Sequence, residues 1–212
     1  MSEGRNWQNA AMRDTTIVDF LTSLADKVPA PGGGATAALH AAQGAALLGM
    51  VARYTTGEKY AEHAAVVADV IGEADALRAE SLELAEKDAA AFTAVSDAYR
   101  LPKGEERTLA IAAALVAAAE PPARVVEAAA RLVSICETLL PIGNPNLLTD
   151  VAAAAEAARA ALATARINVE VNLGGIRDDL TRDGLRARLA DVDDTMTRAD
   201  RVTAQVRAGL RA

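Results

Sequence analysis

The chain has 212 residues, a formal net charge of −7 and a pI of about 4.9. No Lys/Arg-rich block stands out, so a nucleic-acid partner is not expected. The single cysteine, Cys136, excludes an intrachain disulfide and fits a reducing cytoplasm. Hydrophobic residues make up 51% of the chain but aromatic residues only 3%. Because alanine, a strong helix former, is the commonest apolar residue and strand-forming residues are scarce, the composition predicts an all-α protein with closely packed helices.

The first predicted element is an N-terminal arm at 1–13, which lacks the apolar stretch of a signal peptide. Asp14, Thr15 and Thr16 are candidate N-caps for a first helix that ends near Val28. No internal repeat or long linker follows, so we predict one helical domain at 14–212.

The second predicted helix, about 35–56, begins after the sequence PAPGGG and ends at Gly57. It has no charged residue from 35 to 52, which is nearly the length of a membrane span. Its Ala/Gly content and its polar residues favour a buried core helix, and we expect no membrane partner.

The remaining pattern predicts an up-and-down bundle of about six to seven Ala-rich helices. A long third helix has apolar residues at helical spacing, the fourth ends at a Pro-Pro pair, and the fifth begins within that pair. A Gly-Gly pair ends the sixth helix, and one Arg/Asp-rich helix, with favourable ion pairs on a solvated face, completes the chain. These helices are predicted at 59–100, 106–120, 122–140, 149–173 and 179–211.

The glycine stretch Gly32, Gly33 and Gly34 is a candidate binding element. It precedes a helix, where free backbone N–H groups and the helix dipole favour an anion or a carbonyl oxygen. A ligand can also approach a backbone without side chains closely. The alternative is a tight turn that serves close helix packing.

Two carboxylates are candidates for proton transfer. Asp88, in EKDAAAF, lies inside a long helix and is followed by alanines, where burial would raise its pKa. The alternative is that Asp88 faces water. Asp150, in GNPNLLTD, follows the turn residues Asn144 and Asn146. It either stands beside the glycine stretch or, like Thr149, caps the next helix.

Asn168 and Asn172 lie one turn apart, on one helix face with Thr164. They are either hydrogen-bonded between helices or in contact with a ligand. Asp150 precedes Asn168 by 18 residues, which is five turns and about 27 Å. One small reactive centre cannot use both within one chain, so the ligand is long, two subunits contribute, or one position is structural.

Other common catalytic groups are poorly supported. His40 and His63 have no second histidine or cysteine nearby, and we predict no metal site. Cys136 lies in an apolar helix and is predicted to be a buried structural thiol rather than a nucleophile.

Four motifs occur along the chain in this order: PGGGATAA, EKDAAAFTAVSDAYRLPK, GNPNLLTDVAAAA and ARINVEVNL. Together they resemble the motifs of a known family. Over about 16–211 the chain resembles the cyclodeaminase/cyclohydrolase family. That family includes the C-terminal domain of formiminotransferase-cyclodeaminase and the bacterial methenyltetrahydrofolate cyclohydrolases. The resemblance implies an all-helical, homodimeric cytoplasmic protein that binds folate and needs no metal or cofactor beyond tetrahydrofolate as substrate.

The resemblance also implies a set of site residues. The catalytic candidates are Asp88 and, second, Asp150. The implied substrate-binding residues are Gly32, Gly33, Gly34, Thr36, Lys59, Asn144, Asn146, Asn168 and Asn172. Since the helix dipole repels a cation, we expect the glycines to meet an oxygen of the ligand and the carboxylate to lie near its cationic carbon.

The expected reaction is hydrolysis of 5,10-methenyltetrahydrofolate to 10-formyltetrahydrofolate. It is favoured over formiminotetrahydrofolate cyclodeamination because no formiminotransferase domain is attached to this sequence. A catalytically inactive folate-binding or helical interaction protein is the alternative of another class. It is motivated by Ala35, where the family usually has serine, and by a basic stretch reduced to Lys59.

Overall fold

The computed structural model describes residues 12–211, and its regular structure is helical throughout that range. The seven α-helices there are α1 (Ile17–Ala25), α2 (Gly33–Arg53), α3 (Ala64–Arg100), α4 (Glu105–Ile142), α5 (Leu148–Leu173), α6 (Asp179–Leu189) and α7 (Val192–Gly209). Short 3-10 segments occupy Met12–Asp14, Glu58–His63 and Pro145–Leu147. The all-α prediction is confirmed, whereas most of the predicted arm lies outside the described residues.

Helix α2 is the centre of the bundle and packs against α3, α4 and α5. Its small residues allow this close approach: a methyl group added at Gly44 would lie 3.3 Å from the carbonyl oxygen of Ala154 on α5. One added at Gly49 would lie 3.6 Å from Cβ of Ala74 on α3. A helix surrounded on several sides needs such thin residues, because bulkier ones would hold the neighbouring helices apart.

The prediction of two helices on either side of the Pro-Pro pair is wrong, because α4 runs unbroken through Pro121 and Pro122. Proline has no N–H, so the carbonyls of Ala117 and Ala118 lose their normal helical donors. Ala117 is exposed, whereas Nδ2 of Asn172 on α5 lies 3.5 Å from the Ala118 oxygen. A tertiary donor and the burial of both proline rings therefore stabilise the continuous helix.

The single predicted C-terminal helix is also wrong, because the chain breaks at Ala190–Asp191 into α6 and α7. Leu185 of α6 joins a small apolar cluster with Ile176. Val192 and Val202 of α7 belong instead to the main core. One straight helix could not bury both apolar faces, so burial outweighs local helix propensity here.

The predicted helix caps have mixed outcomes. Thr16 caps α1 as predicted, and its hydroxyl accepts a hydrogen bond of 3.1 Å from the backbone N–H of Asp19. Neither Thr149 nor Asp150 caps α5, whose N-cap is Leu147. The reason is that the 3-10 segment Pro145–Leu147 leads directly into α5, so both residues already lie inside the helix.

Two helices of the described chain, α2 and α4, are long and apolar enough to cross a membrane by length and composition alone. In α2, 61% of the apolar window is buried within the bundle, compared with 39% in α4. Core helices of other proteins pass the same test, so the finding is weak evidence for a membrane span.

Gly72 offers a direct test of packing in α3, which continues through this residue. No atom lies within 4 Å of a methyl group placed there. We expect Gly72→Ala to raise the free energy of unfolding by about 0.5–1 kcal/mol, since alanine loses less backbone entropy in a helix. Urea denaturation measures the change, and a lower stability would show that the glycine has a packing role.

Candidate active site

Helices α3 and α5 continue past the N-terminus of α2, and we call the space that they flank beyond it the recess. Gly34 packs against Asp88 and Gly49 against Ala74, so α3 runs antiparallel to α2. After Asp88, α3 continues for 12 residues, or about 18 Å, beyond the first turn of α2. Asn168 of α5 lies against Gly33, and Asn172 on the next turn of α5 lies 3.5 Å from the Ala118 oxygen of α4, so α4 and α5 also flank this end of α2.

Asp88 of α3 faces the first turn of α2. Its carboxylate caps the N-terminus of that helix. A methyl group added at Gly34 would overlap both carboxylate oxygens and Cγ of Asp88. The backbone N–H of Ala35 donates to this carboxylate, while Gly32, the N-cap, has no side chain to do so. The oxygen that meets Gly34 therefore belongs to Asp88 and not to a ligand.

Burial raises the pKa of the half-buried Asp88 carboxyl above its ordinary value of about 3.8. Loss of hydration penalises the charged form, and this effect exceeds the opposing effect of the Ala35 N–H group. The alternative that Asp88 faces water is thus wrong. A carboxylate with a raised pKa is a better proton acceptor near neutral pH.

Asn168 stands across the recess from Asp88, at the other side of the glycine turn. A methyl group added at Gly33 would lie 3.5 Å from Nδ2 of Asn168 and 4.0 Å from the Thr164 methyl group. The amide of Asn168 donates 2.8 Å to the carbonyl oxygen of Thr164. Its Oδ1 accepts no hydrogen bond from residues 12–211 and remains a candidate ligand contact.

The other residues of this turn differ in their freedom to bind a ligand. A methyl group placed on Gly32 would have no atom within 4 Å, so this residue is open to the recess. The hydroxyl of Thr36 donates 3.0 Å to the carbonyl oxygen of Gly32 within the helix. Among the predicted binding residues, the structure therefore brings together Gly32, Gly33, Gly34, Thr36, Asn168 and Asn172, with Asp88 beside them.

Asn172 links two helices, as in the first of the two alternatives that the sequence left open. Its amide group donates 2.7 Å to the carbonyl oxygen of Asn168 and lies 3.5 Å from that of Ala118, which the proline in α4 leaves without a helical donor. We expect Asn172→Ala to lower the free energy of unfolding by about 1–3 kcal/mol. Urea denaturation tests this, with Asn168→Ala as the comparison; a loss no larger than in that variant would contradict the structural role.

The remaining predicted residues lie at the opposite end of α2, about 30 Å away. Asn144 is tied there by its backbone N–H to the Thr55 hydroxyl and by its amide to the carbonyl oxygen of Tyr54. Lys59 stacks over the Tyr60 ring, with Nζ 4.6 Å from the ring centroid. Asn146 and Asp150 belong to the same end, because they follow Asn144 directly on the 3-10 segment and the first turn of α5.

The predicted residues thus form two groups within one chain. Asn168 and Asp150 lie on the same helix, α5, as predicted, and they point to different ends of α2. Asp88 belongs with Asn168, not with Asp150. A small ligand bound at the glycine end cannot reach both groups in a single subunit.

Cys136 is the buried structural thiol that the sequence predicts. Its side chain is fully buried, and Sγ lies 3.8 Å from the carbonyl oxygen of Val151. Burial raises the pKa of this thiol to about 12, so it carries no thiolate at neutral pH. Neither histidine belongs to a cluster of three metal-ligating side chains within the described range.

Sequence reasoning missed an ion pair that anchors the segment before α1 to α3. Arg13 donates 3.0 Å through Nε and 2.6 Å through Nη2 to the carboxylate of Glu86 on α3. Opposite charges 73 positions apart in sequence give no local signal, so only the fold could reveal this contact. It holds the segment before α1 to α3, whereas α1 itself has no buried residue.

A half-buried carboxylate at the bottom of a helical recess is suited to proton transfer with a small molecule. The comparison with protein families agrees with this class of site. A family model described as formiminotransferase-cyclodeaminase matches residues 16–191, and the chain belongs to this family.

Two named relatives and one solved structure illustrate the similarity. Methenyltetrahydrofolate cyclohydrolase of Methylorubrum extorquens is 36% identical over 77% of this chain and 81% of its own length. Formimidoyltransferase-cyclodeaminase of Rattus norvegicus is 31% identical over 86% of this chain, which spans only 35% of that longer protein. The crystal structure of formiminotetrahydrofolate cyclodeaminase from Thermotoga maritima superimposes with a TM-score of 0.85 at 27% identity, covering 94% of this chain and 99% of that one.

Proposed function

We propose that this protein hydrolyses 5,10-methenyltetrahydrofolate to 10-formyltetrahydrofolate, with Asp88 as the proton acceptor. The observation that carries the proposal is the position of Asp88, half-buried at the α2 N-terminus with a raised pKa. The 36% identity to a methenyltetrahydrofolate cyclohydrolase over most of both chains supports the substrate.

The proposed reaction begins with water addition to the cationic carbon that bridges N5 and N10. A C–O bond forms, and Asp88 accepts the proton that water loses. The hydroxyl proton of the tetrahedral adduct then moves to N5 as the C–N5 bond breaks, which leaves the formyl group on N10 and one proton released overall. A carboxylate is suited to these steps because it also attracts the cationic substrate before the attack.

Formiminotetrahydrofolate cyclodeaminase is the second candidate function. It is favoured by the match to the Thermotoga maritima cyclodeaminase over 99% of that chain. There N10 would attack the formimino carbon and ammonia would leave, and Asp88 could serve the same proton transfers.

Two assays separate these functions. Loss of methenyltetrahydrofolate absorbance above the spontaneous rate supports the hydrolase, and ammonia release from formiminotetrahydrofolate supports the cyclodeaminase. Folate binding without either activity would identify an inactive folate-binding protein. Absence of turnover and of binding would overturn the proposal.

A homodimer, a cytoplasmic location and a reaction without metal or further cofactor belong to the same proposal. The dimer would account for the exposed apolar side chains on outer faces at the glycine end, among them Leu109 at 65% and Val171 at 73% exposure. Sedimentation equilibrium measures the oligomeric state, and turnover after treatment with a chelator tests the independence from metal.

A further inference from the structure

The recess has an aromatic wall beyond Asp88. Phe92 and Tyr99 follow Asp88 on α3 by four and eleven residues, which places all three within about 40° of one helix face. Earlier on α3 the same face is buried against the bundle, as at Val70 and Leu84. Phe92 and Tyr99, which lie beyond the end of α2, are 49% and 51% exposed.

Arg107 lies at the outer end of this wall. Its guanidinium carbon is 5.9 Å from the centroid of the Tyr99 ring, and its Nε is buried without a hydrogen-bond partner among residues 12–211. Arg107 precedes Ala118 by eleven residues and so shares the inward face of α4. The neighbouring carboxylates of Glu105 and Glu106 form no ion pair with it.

The other arginines of α3 and α4 are paired with carboxylates. These pairs are Arg78–Asp75, Arg100–Asp97, Arg124–Glu80 and Arg131–Glu73. Within the described residues, Arg107 alone on these two helices keeps its charge available for an external anion. A guanidinium stacked on an aromatic ring is well placed for this, because the ring orients the planar fork that binds carboxylates.

We propose that Phe92, Tyr99 and Arg107 form a binding subsite for an aromatic ring that carries a carboxylate tail. The ring packs on Phe92 and Tyr99, and the tail carboxylate binds the Arg107 guanidinium. Under the proposed function, on which this rests, the ligand is the aminobenzoyl-glutamate part of the folate. Asp88 then faces the cationic end of the ligand. About 16 Å along α3 separates Asp88 from Tyr99, where Arg107 meets the anionic tail.

This subsite differs from the one implied by the family resemblance. Lys59 lies at the opposite end of α2, about 30 Å from the glycine turn. For a ligand whose reacting carbon is at Asp88, Arg107 is the nearer cation, because it lies beside Tyr99, about 16 Å along α3, whereas Lys59 lies about 30 Å along α2. The order of charges along the recess, negative inside and positive outside, complements a ligand with a cationic ring and an anionic tail.

The binding test uses two fragments, p-aminobenzoylglutamate and p-aminobenzamide, measured by titration calorimetry on the full chain. We expect the wild-type protein to prefer the glutamate compound. Arg107→Gln then weakens that compound about tenfold and removes the preference. Phe92→Ala weakens both fragments about threefold or more. Arg100→Gln, at the end of α3 but paired with Asp97, is the matched control and retains wild-type affinities.

Kinetics with methenyltetrahydrofolate provide the second readout. Arg107→Gln and Phe92→Ala raise KM while kcat stays within about twofold, because neither side chain contacts the reacting carbon. Turnover with unchanged KM in both variants overturns the subsite but leaves the proposed function intact. Arg107-dependent binding of p-aminobenzoylglutamate without turnover would support the subsite and overturn the proposed function.

Two further results would also overturn the subsite. One is a rise in KM for Lys59→Gln with none for Arg107→Gln, which would place the tail at the opposite end of α2. The other is dissociation of an oligomer by Phe92→Ala, seen in light scattering after size-exclusion chromatography, with fragment binding unchanged. That result would assign the aromatic face to a contact between copies of the chain.

Discussion

Asp88→Asn is expected to lower turnover by more than about tenfold while the protein remains folded. Asparagine keeps an oxygen that can accept the Ala35 N–H, so the helix contact survives while the proton acceptor is lost. Methenyltetrahydrofolate hydrolysis measures the effect. Asp69→Asn, an exposed position on the same helix, is the matched control.

The same variant is expected to be as stable as the wild type, or more stable, at neutral pH. The folded-state pKa of Asp88 is raised, so between the unfolded and the folded pKa the native state binds more protons than the unfolded chain. Stability from this group is therefore present below the unfolded pKa and falls as pH rises through the folded pKa. Thermal unfolding at pH 4 and pH 7 tests the sign, since the advantage of Asp88→Asn appears only at the higher pH.

The pH dependence of wild-type turnover follows from the same shift. The rate should rise with pH through the Asp88 titration, with an inflection above the ordinary aspartate pKa of 3.8. Near wild-type turnover in Asp88→Asn would remove Asp88 from the catalytic role. A larger loss in Asp150→Asn would transfer that role to the other end of α2.

Gly34→Ala is expected to reduce turnover nearly as much as Asp88→Asn, although it adds only a methyl group. That methyl group would occupy the space of the Asp88 carboxylate. The carboxylate is the end of a side chain and can rotate away, so the free energy of unfolding should change by less than about 2 kcal/mol. The outcome is a folded protein whose proton acceptor is displaced.

Gly33→Ala is the matched control for stability, because its methyl group would meet Asn168 at an ordinary contact distance of 3.5 Å. The double variant Gly34→Ala/Asp88→Asn distinguishes displacement from any other effect of the methyl group. If the methyl group acts through Asp88, the two losses of turnover are not additive. Multiplicative losses would show that Gly34 acts independently, for example through direct contact with the folate.

The proline pair in α4 shows a limit of local reasoning. Pro121 and Pro122 are strong helix-stopping signals, and the sequence predicts a break there. The helix continues because both rings are buried and because Asn172 supplies a donor near Ala118. The residue that compensates is 50 positions further along the chain, so no sequence window around the prolines contains it.

The division of the site residues shows a second limit. The motifs placed Asp88, Asp150 and Asn168 in one folate site, and the spacing on α5 already separated the last two by about 27 Å. Antiparallel packing of α3 and α5 on α2 then places Asp88 and Asn168 at the glycine end. Which carboxylate joins the glycine turn depends on helix lengths and packing, and these are properties of the whole bundle.

By itself, the sequence determined what local chemistry controls: an all-α chain, the Thr16 cap, the small-residue surface of α2, the buried thiol of Cys136 and membership of a folate-enzyme family. Helix propensity and periodicity act over a few residues, so one chain is enough to read them. Only the tertiary structure decided that Asp88 meets Gly34, 54 positions away, and that the Phe92 and Tyr99 face overhangs the shorter α2. Contacts at that separation arise from the way helices of unequal length pack, and they give the carboxylate its burial and its raised pKa.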